Sequence, residues 1–558
     1  MKDILSHYQE EIVFLREQGK KFASKYPTIA DKIDFNGNRS NDPHTERIIE
    51  SFAFMVAQLN TKIDNNAEHL AYYLLTGLYP GIASVFPPCS VAQFDSVNFD
   101  FLPRNSKIWV PVIQSEASNE ETSDSYVFKT VYPLTIYPLK IVKLSITKYK
   151  ELRIDIKTTS VPVEEMHIDH LMFYIDASLS DNAFAIYASL FATTPRITLI
   201  VNSQQYDLQN SLELCGFNED ETAVPVSKFI NYSFHLLREV LLFPQKFMFF
   251  KIIGVSKTMQ KNNLKNIDRF SICISLSDVD IKLNQNAIKI NSVPIVNLFN
   301  YMTNSFRFDN TKSRYLLLSN DNPHIAIHSI KEVHLIDSMT KEDYIVPQYF
   351  SFDYCSLNNT ANPVYWLQPF DYDNSTYISF VDTNLSPSNT YADVAFAKTL
   401  CFNKINPRNI NIDKTVQADG ALSSDVQGRL ILQITEPFYI AKRDMWNLFN
   451  QLAFGQLSKT NIGQFVNKLR NISSMNSGAY NNIVQSILND IVATELIETN
   501  KRIIANARSS FVKAYTYKIN VKKRLPPYAT LLFKVIRRYL QNNKPINSYV
   551  DLDISVQT

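Results

Sequence analysis

Asn41-Asp42-Pro43-His44-Thr45-Glu46-Arg47-Ile48-Ile49-Glu50-Ser51-Phe52-Ala53-Phe54 carries the signals of a helix start. Asp42 can cap the free N–H groups of the first turn, and Pro43 suits the first helical position, where no N–H is needed. From Pro43 the apolar residues Ile48, Ile49, Phe52, Met55, Val56, Leu59 and Ile63 recur at helical spacing. The pattern predicts a third helix starting after Asn65, with Glu68 completing a capping box, running through Leu70, Tyr73, Leu74 and Leu78. Tyr79-Pro80-Gly81 stops it. Upstream, Ile4, Tyr8, Ile12, Leu15, Gly19 and Phe22 form one stripe, ended or bent at Tyr26-Pro27. Helices this short are not self-sufficient, so their apolar faces need cover. Phe52, Phe54, Met55 and Leu59 read as core, either of this chain or of an assembly. Glu46 and Glu50 lie one turn apart and Arg47 about 100° away. The three form either a surface ion-pair network of little stability, or Arg47 and Glu50 fix the register of helices from different chains.

Beyond Phe86-Pro87-Pro88-Cys89 the texture changes. From Val91 to about Leu214, short β-branched and aromatic runs read as mainly antiparallel strands, with a turn cluster at Ser115 to Ser125 and a short helix at Asn182 to Phe191. Helical spacing returns from Val226 to Phe243, and Phe247 to Ile253 has strand length. Residues about 256 to 435 are again β-rich, with a turn signal at Asn358-Asn359 and loops at Asp371 to Ser375 and Ser386 to Asn389. The last section predicts helices at Arg443 to Leu457, Asn461 to Leu469, Asn481 to Leu496 and Leu531 to Leu540. It adds a short β piece at Phe511 to Val521 and a final strand at Tyr549 to Val556. The fold class is therefore α+β and multidomain. Its expected parts are an N-terminal helical section (1–85), a first β-rich domain (86–215), a central helix and strand (216–255), a second β-rich domain (256–435) and a mixed C-terminal domain (436–558).

Composition narrows the function. The 558 residues are 45% hydrophobic, 20% charged and 12% aromatic, enough to build cores in roughly three or four domains. Lys+Arg 56 against Asp+Glu 54 gives a net charge of +2, with no global field to draw in nucleic acid. The 11 glycines include no GxxxxGK or GxGxxG, so nucleotide enzymes of familiar kinds are excluded. Cys89, Cys215, Cys273, Cys355 and Cys401 lie far apart, as reduced thiols in a cytosolic protein do. The start MKDILSHYQEEIVFL is not a signal peptide, and no apolar run reaches the roughly 18 residues of a membrane span.

Catalytic and metal-binding candidates are weak. His167 and His170 form an HxxH without further ligands, which reads as surface histidines in a β segment. Strand alternation would put His324, Ala326 and His328 on one exposed or interfacial face. No GxSxG elbow is present. The densest positive run, Lys518 to Pro527, reads as a solvated turn or a contact for an acidic partner surface. No catalytic residue, cofactor site or metal site is assigned.

Several segments resemble the TssF family, baseplate subunits of the bacterial type VI secretion system. The opening stretch is similar to D-P-h-V-E-R-L-(L/I)-E-(G/S)-F-A-F, carried by Asp42, Pro43, Glu46 and Arg47. Tyr8 to Glu17 resembles Y-x-x-E-L-x-x-L-R-E, Phe22 to Ala30 resembles F-A-x-x-Y-P-x-I-A, and Leu74 to Pro80 resembles L-L-x-x-L-Y-P. Gly216 to Glu221, Leu236 to Glu239 and Phe243-Pro244-Gln245-Lys246-Phe247 are similar to G-F-x-x-x-E, L-L-x-E-Y and F-P-x-K-F-x-F-F. Val293 to Phe299, including Asn297 and Phe299, resembles V-P-x-V-N-L-F. The match weakens toward the C-terminus, where Cys401-Phe402-Asn403-Lys404 stands for C-T-N-R.

The resemblance implies a structural wedge subunit, not an enzyme, with two β-rich wings around a central helix. It implies assembly with TssG, a second copy of the chain, TssE and TssK around the VgrG spike, seeding the sheath. There would be no nucleic acid and no membrane insertion, in a cytoplasmic baseplate docked at the inner-membrane complex. The helices at 1–27 and 43–80 would bundle with TssG and the second copy through Tyr8, Ile12, Leu15, Arg47, Glu50, Phe52, Met55 and Leu59. A wedge protein of another contractile particle, or a soluble effector enzyme, is the alternative.

Overall fold

The computed structural model describes residues 4–33, 42–79, 81–112, 125–166, 168–177, 182–191, 194–208, 211–226, 232–277, 281, 283–308, 312–318, 324–336, 341–349, 364–369, 375–382, 394–405, 410, 415–418, 426–441, 444–453, 462–475, 478, 480–505, 508–522, 525–544 and 548–556. His167, Cys355, the turn at Asn358-Asn359 and most of the loops expected near 115–125, 371–375 and 386–389 lie outside them.

The N-terminal section is a helical hairpin. Helix Ile4–Lys25 is followed by the single turn Pro27–Ala30 and by helix Pro43–Leu78. The second helix is one continuous element of 36 residues, not two. The predicted start after Asn65 does not occur. Asn65 and Asn66 are poor helix formers but keep their backbone N–H groups, so the hydrogen-bond ladder runs through them. Glu68 is a buried mid-helix residue, with no helix start there for it to cap.

The β-rich part is built from strands far apart in sequence. A closed barrel runs in the order Cys89–Asp95, Ser292–Val296, Ser125–Thr130, Lys107–Pro111, Thr415–Ala418 and Gln427–Leu430, the last pairing back to the first. A five-stranded sheet joins Gln204–Asp207, Ile197–Val201, Arg269–Ser275, Glu151–Thr158 and Leu139–Ile146. Along Glu151–Thr158 the even positions 152 to 158 are buried, the period of a sheet with one covered face. A four-stranded sheet joins Leu212–Leu214, Phe249–Ile253, His170–Ile175 and Ile288–Ile290. The stretches 86–215 and 256–435 thus share sheets, and neither closes on itself.

A smaller core stands apart. Strands Phe299–Met302, Val394–Asn403, Ile325–Ile336 and Asp343–Val346 form one sheet, and Tyr315–Leu316, Tyr377–Asp382 and Val364–Leu367 another. Val333, Leu335, Trp366, Ile378, Ala395 and Ala397 fill the space between them.

In the C-terminal section, helices Met445–Ala453, Ile462–Met475 and Asn481–Asn489 precede a long antiparallel pair, Ile491–Ala505 with Arg508–Val521. The helix predicted to reach Leu496 therefore ends at Asn489, and the short β piece is a strand of 14 residues. Beyond Asp490 the β-branched residues Ile491, Val492, Thr494 and Ile497 favour the pleated chain. Helix Tyr528–Asn542 packs on the central helix Tyr232–Leu242, and strand Ser548–Val556 runs parallel to Arg508–Val521.

Candidate partner surface and its buried anchor

The hairpin is held by small and polar residues. Asp42 accepts from the backbone N–H of His44 at 3.0 Å and from Thr45 Oγ1 at 2.8 Å. The His44 N–H above all holds the Asp42 carboxyl below its usual range. Arg16 Nη2 meets Glu46 Oε1 at 2.6 Å, and Asn60 Nδ2 donates to Glu11 Oε1 at 3.0 Å, tying the first helix to the second. Between these ties Ala53 and Ala57 are fully buried, letting the two helices approach closely.

The large apolar residues point the other way. Ile48, Phe52, Met55, Leu59, Ile63 and Leu70 are all about half exposed or more, from 49% at Phe52 to 69% at Ile48. Their spacings of three, four and seven place them on one stripe of the long helix. Phe54 on this helix, and Leu5, Val13 and Phe14 on the first, are exposed as well. Phe52, Phe54, Met55 and Leu59 are therefore not core of this chain. Of the other residues assigned to the interface, Tyr8, Ile12 and Leu15 are half-buried, while Arg47 and Glu50 are exposed. Glu46 serves the hairpin itself, whereas Arg47 and Glu50 make no ion pair among the described residues. Sequence reasoning missed Ala53 and Ala57, whose stripe with Ile49 and Val56, at spacings of four, three and one, is visible only once the large residues are known to face outward.

The second group of motif residues lies at the centre of the molecule. Lys246 and Glu239 form an ion pair with both side chains fully buried. The other Glu239 oxygen accepts the N–H of Ala223 at 2.7 Å. Burial holds the Lys246 ammonium below its usual pKa, and Glu239 opposes that shift. Phe243, Pro244 and Phe247 are buried around the pair. Tyr132 Oη donates to the Lys246 carbonyl at 2.7 Å, and Gly216 sits under it with φ +95°. A Cβ at Gly216 would lie 2.7 Å from that hydroxyl. Glu221 closes the turn by accepting the N–H groups of Gly216 and Asn218.

This centre ties every section together. Arg238 donates to the carbonyls of Ile82 (3.0 Å) and Ser84 (2.8 Å), just beyond the long helix, and burial lowers its pKa to about 10. Gln245 donates to Tyr480 Oη at 2.9 Å, and Tyr528 Oη donates to the Val240 carbonyl at 2.5 Å. Asn297, also fully buried, donates to the Val127 carbonyl and accepts the N–H of Asn403, joining the barrel to the smaller β core. Phe299 begins the edge strand there and is half-buried.

The histidines differ from the sequence expectation. His328 falls where the register between Ile325–Ile336 and Val394–Asn403 shifts, so strand alternation breaks and its ring turns inward. It is buried while His324 is exposed. Burial first, then Arg238 and His235, pushes the His328 pKa down to about 3. It lines a cavity of about 170 Å³ with Tyr72, Gly81, Trp366 and Tyr439, in which no carboxylate or thiol takes part among the described residues. His170 opens its strand half-buried. Of the basic run, Lys518 to Val521 belong to strand Arg508–Val521. The four described cysteines are buried free thiols. Among the described residues no cluster of three or more His, Cys, Asp or Glu could hold a metal, and no helix is long and apolar enough to cross a membrane.

Known proteins match this architecture. The model of the family "Type VI secretion system, TssF" matches residues 1–558. A curated relative, the type VI secretion system component TssF1 of Pseudomonas aeruginosa (strain PAO1), is 20% identical over 279 residues. That match covers 46% of this chain and 45% of the relative, so the chain spans about half the length of the curated relative it matches. A chain in a TssK-TssF-TssG baseplate subcomplex solved by cryo-electron microscopy superposes with a TM-score of 0.71 at 17% identity, covering 92% of this chain and 96% of that one. A chain of a type VI secretion baseplate complex gives 0.56 at 14% identity, covering 100% and 97%. With its whole length matched by the family model, this chain belongs to the TssF family of the type VI secretion system.

Proposed function

We propose that the chain is a structural, non-catalytic subunit of a type VI secretion baseplate, and that the hairpin is its principal assembly surface. The observation carrying this reading is the exposed apolar stripe from Ile48 to Leu70. A soluble monomer does not leave such a face on a long helix without a partner. A neighbour of the same fold sits in a TssK-TssF-TssG subcomplex. By that analogy TssG and a second copy of this chain cover the stripe, completing a helical bundle. TssK, TssE, the VgrG spike and the sheath contact the β-rich and C-terminal sections. The assembly stands in the cytoplasm against the inner-membrane complex. Its work is mechanical: large interfaces hold a closed ring, and their repacking releases the sheath.

Co-expression with TssG from the same source, followed by size exclusion with light scattering, tests the reading. A stable complex holding more copies of this chain than of TssG is expected. Phe52→Asp or Leu59→Asp should abolish co-purification while the circular dichroism spectrum of the chain stays unchanged. Unaltered co-purification by both variants would remove the hairpin from the interface.

A further inference from the structure

A groove of about 860 Å³ lies between one end of the barrel, the turn at Glu219 to Val226 and the smaller β core. Its floor is apolar, formed by Val224, Pro225, Val296, Leu298 and Leu400. One lip is basic. Lys107 and Lys129 stand directly opposite each other on paired strands, an arrangement that costs stability through repulsion. Lys331 reaches the same place from strand Ile325–Ile336, held by Asn300 Oδ1 at 2.8 Å. Arg104 adds a fourth cation, with one guanidinium N–H on the Thr222 carbonyl at 2.9 Å and its Nε buried without a partner. Among the described residues none of these four cations makes an ion pair. Glu219 and Asp220 stand on the groove's lining too, and neither pairs with them. Burial, with Lys331 and Lys107 beside it, holds the Lys129 ammonium below its usual pKa.

The groove also borders an open sheet edge. Strand Phe299–Met302 pairs only with Val394–Asn403 among the described strands, and Asn300 faces the groove. An open edge is a template for one more strand.

We propose that this groove receives an extended acidic segment of a partner chain, laid along Phe299–Met302, with apolar residues on the floor and alternating carboxylates on Lys107, Lys129 and Lys331. A period of two sorts such a segment's side chains onto two faces, as floor and lip require. Charge complementarity selects an acidic occupant, since Arg104, Lys129 and Lys331 line the groove with Lys107 beside Lys129, outnumbering Glu219 and Asp220, and none of the four cations is held in an ion pair among the described residues. This goes beyond the baseplate reading and does not depend on the hairpin.

The test uses the purified full-length chain and a fluorescein-labelled peptide of five Glu-Val repeats, with Lys-Val repeats as control, read by fluorescence anisotropy. Saturable binding of the Glu-Val peptide alone is expected, weakened at least tenfold by Lys129→Glu with Lys331→Glu and by raised salt. The paired substitution Lys257→Glu with Lys261→Glu on the distant helix Val255–Lys261 should leave binding unchanged. Because Lys129→Glu turns its repulsion of Lys107 into attraction while 129 and 331 keep like charges as in the parent, the groove variant should melt no lower than the parent, separating lost binding from lost folding. Absent saturation, or equal binding by the groove variant, overturns the proposal. Equal displacement by millimolar inorganic phosphate overturns it in favour of a free-anion site. Concentration-dependent dimerisation of the parent, abolished in the groove variant, overturns it in favour of a second copy.

Discussion

The hairpin and the central segment 216–255 use opposite materials for opposite ends. In the hairpin, alanines and a partly buried ion pair face inward and phenylalanine, methionine and leucine face water. In the centre, Phe243, Phe247, Phe249 and Phe250 are fully buried and enclose a buried lysine and glutamate. A region that folds for its own sake buries its largest apolar residues. A region that folds for an assembly keeps them for its partner. The same residue type therefore reports stability in one place and association in the other.

The sharpest way to break this contrast is to remove one member of the central pair. Lys246→Ala leaves Glu239 buried and unpaired and should cost about 3–5 kcal/mol, measured by urea unfolding. Lys246→Met with Glu239→Leu should recover most of that loss. A single variant as stable as the parent would deny the centre its role as anchor. Next in size, Gly216→Ala combines the left-handed φ with a contact against the Tyr132 hydroxyl, and should cost about 2 kcal/mol.

Acid should act on the two histidines buried beside Arg238. Burial lowers the pKa of both His235 and His328 to about 3, with Arg238 beside each and Lys246 also near His235. Unfolded, both would titrate near the ordinary 6.5, so between about 6.5 and 3 the unfolded chain binds more protons. Stability is then full above pH 6.5 and falls as pH drops, by about 2 kcal/mol per histidine at pH 5. His328→Gln should flatten the slope of Tm against pH in that window, and an unchanged slope would place the loss elsewhere. The smallest effect belongs to the hairpin: Phe52→Asp should shift the unfolding free energy by under about 0.5 kcal/mol. A large loss there would show the stripe packing within the chain.

Much of this contrast was legible in the sequence. Asp42 and Pro43 mark the helix start because capping is a local event, and the structure shows the cap. The apolar stripes gave the helices, though periodicity alone could not say which side faces solvent. The long helix was read as two because Asn65 and Asn66 look like a boundary, and only the continuous ladder overrides them. The pairing of Lys246 with Glu239 was hidden because a turn of 3-10 helix, Pro244–Phe247, brings Lys246 back onto the preceding helix. The interleaving of 86–215 with 256–435 rests on barrel pairing across some 200 to 340 residues, which no local pattern records.

The long helix has a mechanical consequence. Among its described residues only Ala71 and Leu75, at its C-terminal end, enter the main core, and Arg238 grips the chain at Ile82 and Ser84 immediately beyond. At 1.5 Å per residue its 36 residues span about 54 Å. Unbroken by proline after its first residue, it is stiff along that length, and a tilt of about 5° about its Arg238 end would sweep the far end through about 5 Å. Small repacking in the centre would thereby be amplified to about the width of a strand-to-strand spacing at the tip.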